Sequence, residues 1–214
     1  IVVDPDVDRL AFVDEYGGVF GEEYTLVACS DYVLSKTPGN TVSNLSSTRA
    51  LSDITIKRGC EYHYSSVGEI NVVEKMKKIN AVIGGEGNGG IIYPELHYGR
   101  DALVGVALFL SLLTESPLKV SELRATYPNY SMSKAKISLS EDLDFDLIIK
   151  EIESKYSEHN PITIDGLKIE FESSWVHLRK SNTEPIVRVY TEAKSEKESE
   201  ELANRFLREI QEIV

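Results

Sequence analysis

Basic residues are in deficit: 23 Lys and Arg stand against 35 Asp and Glu in 214 residues, a net charge of −12. Non-specific binding to nucleic acid needs a basic face that displaces counterions, so the composition argues against a nucleic-acid partner. A small anionic ligand stays open, because a few local arginines hold a phosphate whatever the net charge. Long apolar runs are lacking too. The longest, Leu103 to Leu113, is about half of what spans a bilayer, so no membrane segment is expected. Cysteine is nearly absent; Cys29 and Cys60 are far apart and form neither a disulfide framework nor a zinc-type cluster with His. A reduced, cytoplasmic setting is the default. No initiator Met and no signal-peptide pattern opens the chain, yet Ile1-Val2-Val3 reads as a buried strand. The expectation is the tail of a longer protein.

What is present is an ordinary globular composition, 42% apolar and 27% charged, with length for one large or two modest domains. Residues 1–3 and 10–14 read as short strands around an acidic loop. Glu22 to Leu34 has helical spacing, stopped by Thr37-Pro38-Gly39-Asn40. Strand and helix then alternate: 41–45, a helix from Ser47 to Arg58, a strand at Glu61 to Tyr64, a helix carrying Val72, Val73, Met76 and Ile79, and 81–85 running into a glycine-rich loop. An apolar helix from Asp101 to Thr114 and a short one from Val120 to Ala125 come next. Such alternation favours a parallel or mixed α/β sheet. Beyond Tyr127-Pro128-Asn129 the texture changes to α+β. There are alternating strands at 133–140, 175–181 and 186–193, a hairpin signal around Asp165-Gly166, and helices from Phe145 to Tyr156 and Glu196 to Ile213. This is a unit of about 85 residues, a reasonable small domain.

Three motifs carry chemistry. In Asp4-Pro5-Asp6-Val7-Asp8-Arg9, carboxylates at alternate positions converge on one hard cation if the backbone turns tightly, and Mg²⁺ takes such oxygens. The spacing also resembles a helix–loop–helix calcium loop, with Glu15 at the twelfth position. Arg9 stands where that loop needs Gly, and the flanks read as strands. Arg9 suits a phosphate bridging to the metal. In Gly84-Gly85-Glu86-Gly87-Asn88-Gly89-Gly90, glycines admit a ligand close to the backbone, and Glu86 and Asn88 pair with sugar hydroxyls. Ile-Ile-Tyr-Pro comes after it in place of a helix, which excludes a dinucleotide fingerprint. In Arg179-Lys180-Ser181-Asn182-Thr183-Glu184-Pro185, with Arg188 beyond, hydroxyls, backbone N–H groups and forked guanidiniums make an anion cradle. Taken singly, these also read as a solvated acidic turn, a flexible turn and a polar hairpin loop. His97 and His177 lie near the second and third motifs without an assigned role, and the pairs Ser46-Ser47 and Ser65-Ser66 have no neighbouring His base.

In this order the three motifs resemble those of the α-D-phosphohexomutases, and the resemblance covers essentially the whole chain. It implies an isomerase that interconverts hexose 6-phosphate and 1-phosphate, with Mg²⁺ as cofactor and a bisphosphorylated sugar as intermediate. The implied fold is α/β: the end of a second α/β domain at residues 1–39, a third α/β domain at 40–130, and at 131–214 a fourth, α+β domain resembling the TATA-binding-protein fold. By resemblance Asp4, Asp6 and Asp8 match the metal ligands and Arg9 the arginine that contacts the moving phosphoryl group. Glu86 and Asn88 match the sugar contacts, and Arg179, Ser181, Asn182 and Thr183 match the cradle of the non-reacting phosphate, assisted by Arg188. Arg49 lies where relatives often carry a basic residue. The family's phosphoserine matches nothing in this chain, so these residues alone are expected to be inactive, with the missing N-terminal domains as partner. Gly90 stands where many bacterial relatives have His, and Asn88 where Ser is usual. Glu86 beside Asn88 also faces a 2-ammonium group well, which makes glucosamine phosphate the first choice, with mannose or glucose phosphates second. A non-catalytic sugar-phosphate binder and a calcium-stabilised structural protein are the readings of other classes.

Overall fold

In the computed structural model, which describes residues 1–138, 145–181, 184 and 186–213, the chain separates into two compact units, Ile1–Pro128 and Asn129–Val214. The first unit opens on an antiparallel pair of two-residue strands, β1 (Val2–Val3) and β2 (Leu10–Ala11). The sequence pattern continued the second strand to Asp14. It stops earlier because the Asp14 carboxylate accepts the N–H groups of Tyr16 and Gly18, both at 2.8 Å, and turns the chain; only Val13 bridges back to Val19.

Helix α1 (Glu22–Lys36) leads into β3 (Thr41–Asn44), buried along its whole length. Next come α2 (Ala50–Lys57), β4 (Tyr62–Ser65), α3 (Glu69–Ile79), β5 (Ile83–Glu86), β6 (Gly90–Ile92), α4 (Ala102–Glu115) and α5 (Val120–Ala125). The strand order is β4-β3-β5-β6, with β3 parallel to both its neighbours and β6 antiparallel to β5. The sheet is mixed, within the expected class. Gly84 and Gly85 show how tightly both faces are covered: a Cβ on Gly84 meets Met76 Sδ of α3 at 2.6 Å, and one on Gly85 meets Leu26 of α1 at 3.1 Å. Helix α3 supplies Val72 and Met76 to a core with Val42, Ala81 and Ile92, and α1 packs on α2 and α4. Residues 1–39, expected to end a preceding domain, therefore fall in the same compact unit as the sheet.

Asp101 caps α4, its Oδ1 accepting from the N–H groups of Leu103 at 2.8 Å and Val104 at 3.0 Å. Phe109 of α4 stacks on Phe12, ring centroids 3.8 Å apart, with Phe20 edge-on at 5.1 Å, which fastens the segment after β2 to the core. Helix α2 starts three residues later than the sequence pattern placed it. Ser47 and Thr48 are held outside the helix, Ser47 Oγ by the Gly87 N–H at 3.0 Å and the Thr48 N–H by the Glu23 carboxylate at 2.8 Å.

The second unit contains β7 (Ser131–Ser138), α6 (Phe145–Lys155), a 3-10 turn (Ser157–His159), β8 (Leu167–Glu170), β9 (Trp175–Lys180), β10 (Ile186–Ala193) and α7 (Glu196–Ile213). Its antiparallel sheet runs β7-β10-β9-β8. One face joins Leu167, Ile169, Val176, Leu178 and Val189 to Ile148 and Ile152 of α6 and Phe206 and Ile210 of α7. Each buried aliphatic or aromatic side chain there contributes about 2 kcal/mol. The expected first strand of the hairpin, residues 162–164, is absent apart from a bridge between Ile162 and Lys168. Asp165 is instead drawn across β9: its carbonyl lies 2.7 Å from His177 Nε2 and its carboxylate 3.0 Å from Arg179 Nε.

Candidate functional site

The acidic loop joins β1 to β2, so its flanks are strands. Val7 lies in the left-handed region, φ 57°, uncommon for a β-branched residue. Its N–H bonds the Asp4 carbonyl at 3.1 Å, and this turn gathers the carboxylates: oxygens of Asp4, Asp6 and Asp8 lie within 4.8 Å of one another. Asp4 Oδ1 accepts the N–H groups of Asp8 at 3.2 Å and Arg9 at 3.1 Å, and Oδ2 accepts Arg9 Nε at 2.5 Å. Desolvation pushes the Asp4 carboxyl up, but the hydrogen bonds from Arg9 and Asp8 and the Arg9 charge outweigh it and hold it down at about 2. Asp8 is raised, first by desolvation, against Arg100, and further by Asp4 and Asp6. Asp8 Oδ1 is buried without a hydrogen bond. Its nearest cation is Arg9 Nε at 3.5 Å, and crowded carboxylates with a buried oxygen that lacks a hydrogen bond fit a hard divalent cation. The calcium-loop alternative does not fit. Glu15, its twelfth position, turns away to Ser121, accepting from Oγ at 2.5 Å and N–H at 3.2 Å. Arg9, expected at a moving phosphoryl group, is paired here with Asp4.

The glycine loop is pressed against this acidic loop. The Leu10 N–H donates to the Gly89 carbonyl at 3.1 Å, and the Ala102 N–H at the head of α4 donates to the Val7 carbonyl at 3.1 Å. Gly89 has φ +86°, and a Cβ there would lie 2.2 Å from the Leu10 carbonyl oxygen; only glycine fits. The loop leaves the carboxyl end of the parallel strands, where α/β sheets place ligands.

Glu86 is buried, 5% exposed. Its Oε1 accepts Asn44 Nδ2 at 2.9 Å and the Gly68 N–H at 3.2 Å, and its Oε2 accepts Arg100 Nη1 at 2.8 Å. The carboxylate expected to face a 2-ammonium group thus already has its charge paired. Asn88 is exposed, its Oδ1 accepting the Gly90 N–H at 3.1 Å. Arg49 is the residue preceding α2, and His97 pairs with the capping Asp101 at 3.0 Å. Asn44, Ser47 and Arg100 complete this end of the sheet. None belongs to a motif, and only the strand register and loop contacts reveal them.

In the second unit, Arg179 and Arg188 are direct cross-strand partners on β9 and β10, and Lys136 of β7 is the partner of Arg188 on its other side. Three cations in a row on one sheet face repel one another, and an anion lying over them removes that repulsion. Arg188 Nε is buried without a hydrogen bond; its Nη1 reaches Tyr190 Oη at 3.2 Å. Asp165 holds Arg179 at Nε. Ser181 is buried, its N–H bonded to the Ile186 carbonyl at 2.9 Å. Asn182 and Thr183 lie outside the described residues. Lys136 escaped sequence reasoning because register, not spacing, brings it to Arg188.

His177, 1% exposed, is structural. Burial pushes its pKa down from 6.5 to about 4, against the raising effect of the Asp165 carbonyl. Between those values the unfolded chain holds a proton that the folded one lacks. The contribution of His177 is therefore full above 6.5 and is lost as pH falls to 4 and below, by about 3 kcal/mol in all. Unfolding free energies from urea titrations followed by Trp175, the single tryptophan, are expected to fall with acid in the wild type by that much more than in His177→Gln. Parallel pH curves for the two would contradict it.

Among the described residues, no helix is long and apolar enough to cross a membrane. Residues 21–130 match the family model for the phosphoglucomutase/phosphomannomutase alpha/beta/alpha domain III, and residues 134–209 match that for the phosphoglucomutase/phosphomannomutase C-terminal domain. The phosphoglucosamine/phosphogalactosamine mutase of Sulfurisphaera tokodaii is 34% identical over 216 residues, 99% of this chain and 47% of that protein. A crystal structure of a phosphoglucomutase/phosphomannomutase family protein from Burkholderia thailandensis superposes with TM-score 0.84 at 26% identity, over 99% of this chain and 46% of that one. Aspergillus fumigatus N-acetylphosphoglucosamine mutase, solved in complex with GlcNAc-6P and magnesium, has the same fold, with TM-score 0.67 at 16% identity over 97% of this chain and 51% of that one. The chain spans about half the length of the curated relatives it matches, 46%, 44% and 47% of the first three. Two models in sequence leave only short stretches of the described chain unmatched, and the chain belongs to the phosphoglucomutase/phosphomannomutase family.

Proposed function

We propose that this chain is the metal- and sugar-phosphate-binding part of a phosphohexomutase that interconverts hexose 6-phosphate and 1-phosphate, with glucosamine phosphate the preferred substrate. The observation that carries the reading is the joining of the acidic and glycine loops through Leu10 and Gly89, in a chain similar along its length to named mutases. Asp4, Asp6 and Asp8 hold Mg²⁺, which when bound supplies neutralisation of phosphoryl charge. Arg9, now paired with Asp4, supplies a guanidinium for a phosphoryl oxygen beside that cation. Asn88, exposed at the loop tip, contacts sugar hydroxyls, while Glu86 acts from beneath as the loop's buried anchor. Arg179, Ser181, Asn182, Thr183 and Arg188 bind the phosphate that does not react, and the Lys136–Arg188–Arg179 row gives that cradle its charge.

On this reading residues 1–39, 40–130 and 131–214 are the end of a second domain, a third and a fourth. The seryl nucleophile belongs to a part of the protein outside these residues, and a bisphosphorylated sugar is the intermediate. The setting is the cytoplasm, consistent with two free cysteines. A second reading, phosphomannomutase or phosphoglucomutase activity, is favoured by one observation: Glu86 is already paired with Arg100 at 2.8 Å, leaving its charge little preference for an ammonium group.

The test is kcat/KM of the full-length protein for glucosamine, mannose and glucose 6-phosphates, read as formation of the 1-phosphates. A ratio of about tenfold or more in favour of glucosamine phosphate, some 1.4 kcal/mol of differential transition-state binding, supports the first reading. Near-equal ratios support the second, and no interconversion of any of the three rejects both.

A further inference from the structure

Arg100 precedes α4 and belongs to none of the three motifs. Its stem lies against Gly90, where an added Cβ would come within 2.4 Å of Arg100 Cδ. Its guanidinium pairs with Asp8 Oδ2 and, at 2.8 Å, with Glu86 Oε2. Its backbone N–H donates to Glu69 Oε1 at 2.8 Å, and its Nε lies 3.5 Å from Glu69 Oε2. One cation thus meets a carboxylate of the acidic loop, one of the glycine loop and one from the first turn of α3.

We propose that Arg100 is a positioning residue that couples the metal loop to the sugar loop. By taking Asp8 Oδ2 it leaves Oδ1, buried, without a hydrogen bond and held only by the Arg9 charge at 3.5 Å, as the oxygen that turns to a cation. The same planar fork holds Glu86, so the separation of the two carboxylates is set by one rigid group. The proposal rests on the reading of Asp4, Asp6 and Asp8 as metal ligands. A lysine, a single point of charge, satisfies Asp8 or Glu86 but not both in fixed geometry. An ion-pair network with no such role makes a different prediction: its loss lowers stability and leaves cation affinity unchanged.

The test titrates the 214-residue chain with Mn²⁺, followed by the electron paramagnetic resonance of the free ion. Calorimetry with glucosamine 6-phosphate, with and without Mn²⁺, then measures the coupling, which must be the same in either order of addition. Arg100→Gln is expected to weaken Mn²⁺ about 10- to 100-fold, the usual effect of removing a group that orients a ligand carboxylate, and to bring the coupling factor to about one. Arg100→Lys is expected to recover the melting temperature but not the coupling. Gly90→Ala, whose methyl takes the space of the Arg100 stem, is expected to reproduce the loss with every charge retained. A folded Arg100→Gln that binds Mn²⁺ within about twofold of wild type and keeps the coupling overturns the proposal. If that variant does not fold, Gly90→Ala decides by the same two measurements. Failure of the wild type to bind Mn²⁺ overturns the metal reading itself, and the role of Arg100 with it.

Discussion

Asp6→Asn in the full-length protein is expected to lower kcat/KM for hexose phosphates about a thousandfold or more, some 4 kcal/mol of lost transition-state stabilisation. Stability is expected to stay within about 0.5 kcal/mol of wild type. The two effects separate at this residue because of where the three carboxylates sit. Asp4 is bound by Arg9 and by two backbone N–H groups, and Asp8 by Arg100, so changing either one disturbs the loop as well as the cation. Asp6 is the exposed member of the three. Asparagine keeps its size and removes its charge. Excess chelator is expected to do to the wild type what the substitution does, and Mg²⁺ to reverse it. Turnover that persists in chelator without a divalent ion would remove the metal from the reaction altogether.

Arg179→Ala is expected to weaken binding of hexose 6-phosphates about 100-fold, near 3 kcal/mol, since water does not replace a forked, charge-assisted contact at equal strength. The fold is expected to tolerate the change. It loses the Asp165 pair at 3.0 Å but also the repulsion from Arg188, its direct cross-strand partner. Calorimetric titration of glucose 6-phosphate against glucose separates the outcomes: the wild type responds to the phosphate ester only, and the variant to neither. Equal responses to both sugars from the wild type would mean that the row of cations is a solvated sheet face and not a phosphate site.

Much of the fold was legible because its signals are local. The apolar run after Asp101 is α4, and Asp101 is its cap. The helix expected from Glu196 to Ile213 is α7, which buries Phe206 and Ile210. In two places local reasoning failed because a distant partner had taken the segment. Ser47 and Thr48 were pulled out of α2 by Gly87 and Glu23, and Asp165 was drawn onto His177 and Arg179 instead of completing a hairpin.

The candidate site divides along the same line. Carboxylates at alternate positions, glycines where no Cβ fits and a loop dense in donors are properties of contiguous residues, and the order of the three was enough to indicate the family. How charge is distributed among them is not contiguous. Glu86 read as a free carboxylate facing a sugar; in the folded chain it is buried and shared by Asn44, Gly68 and Arg100. Lys136 becomes a neighbour of Arg188 only through the register of β7 on β10. The sequence by itself determined which chemical groups this protein has and which short segments carry them, because backbone preference and spacing act over a few residues. The tertiary structure alone decided which of those charges are already neutralised and which remain for a ligand. That depends on pairings between residues as far apart as Asp8 and Arg100, brought together when the strands and helices pack.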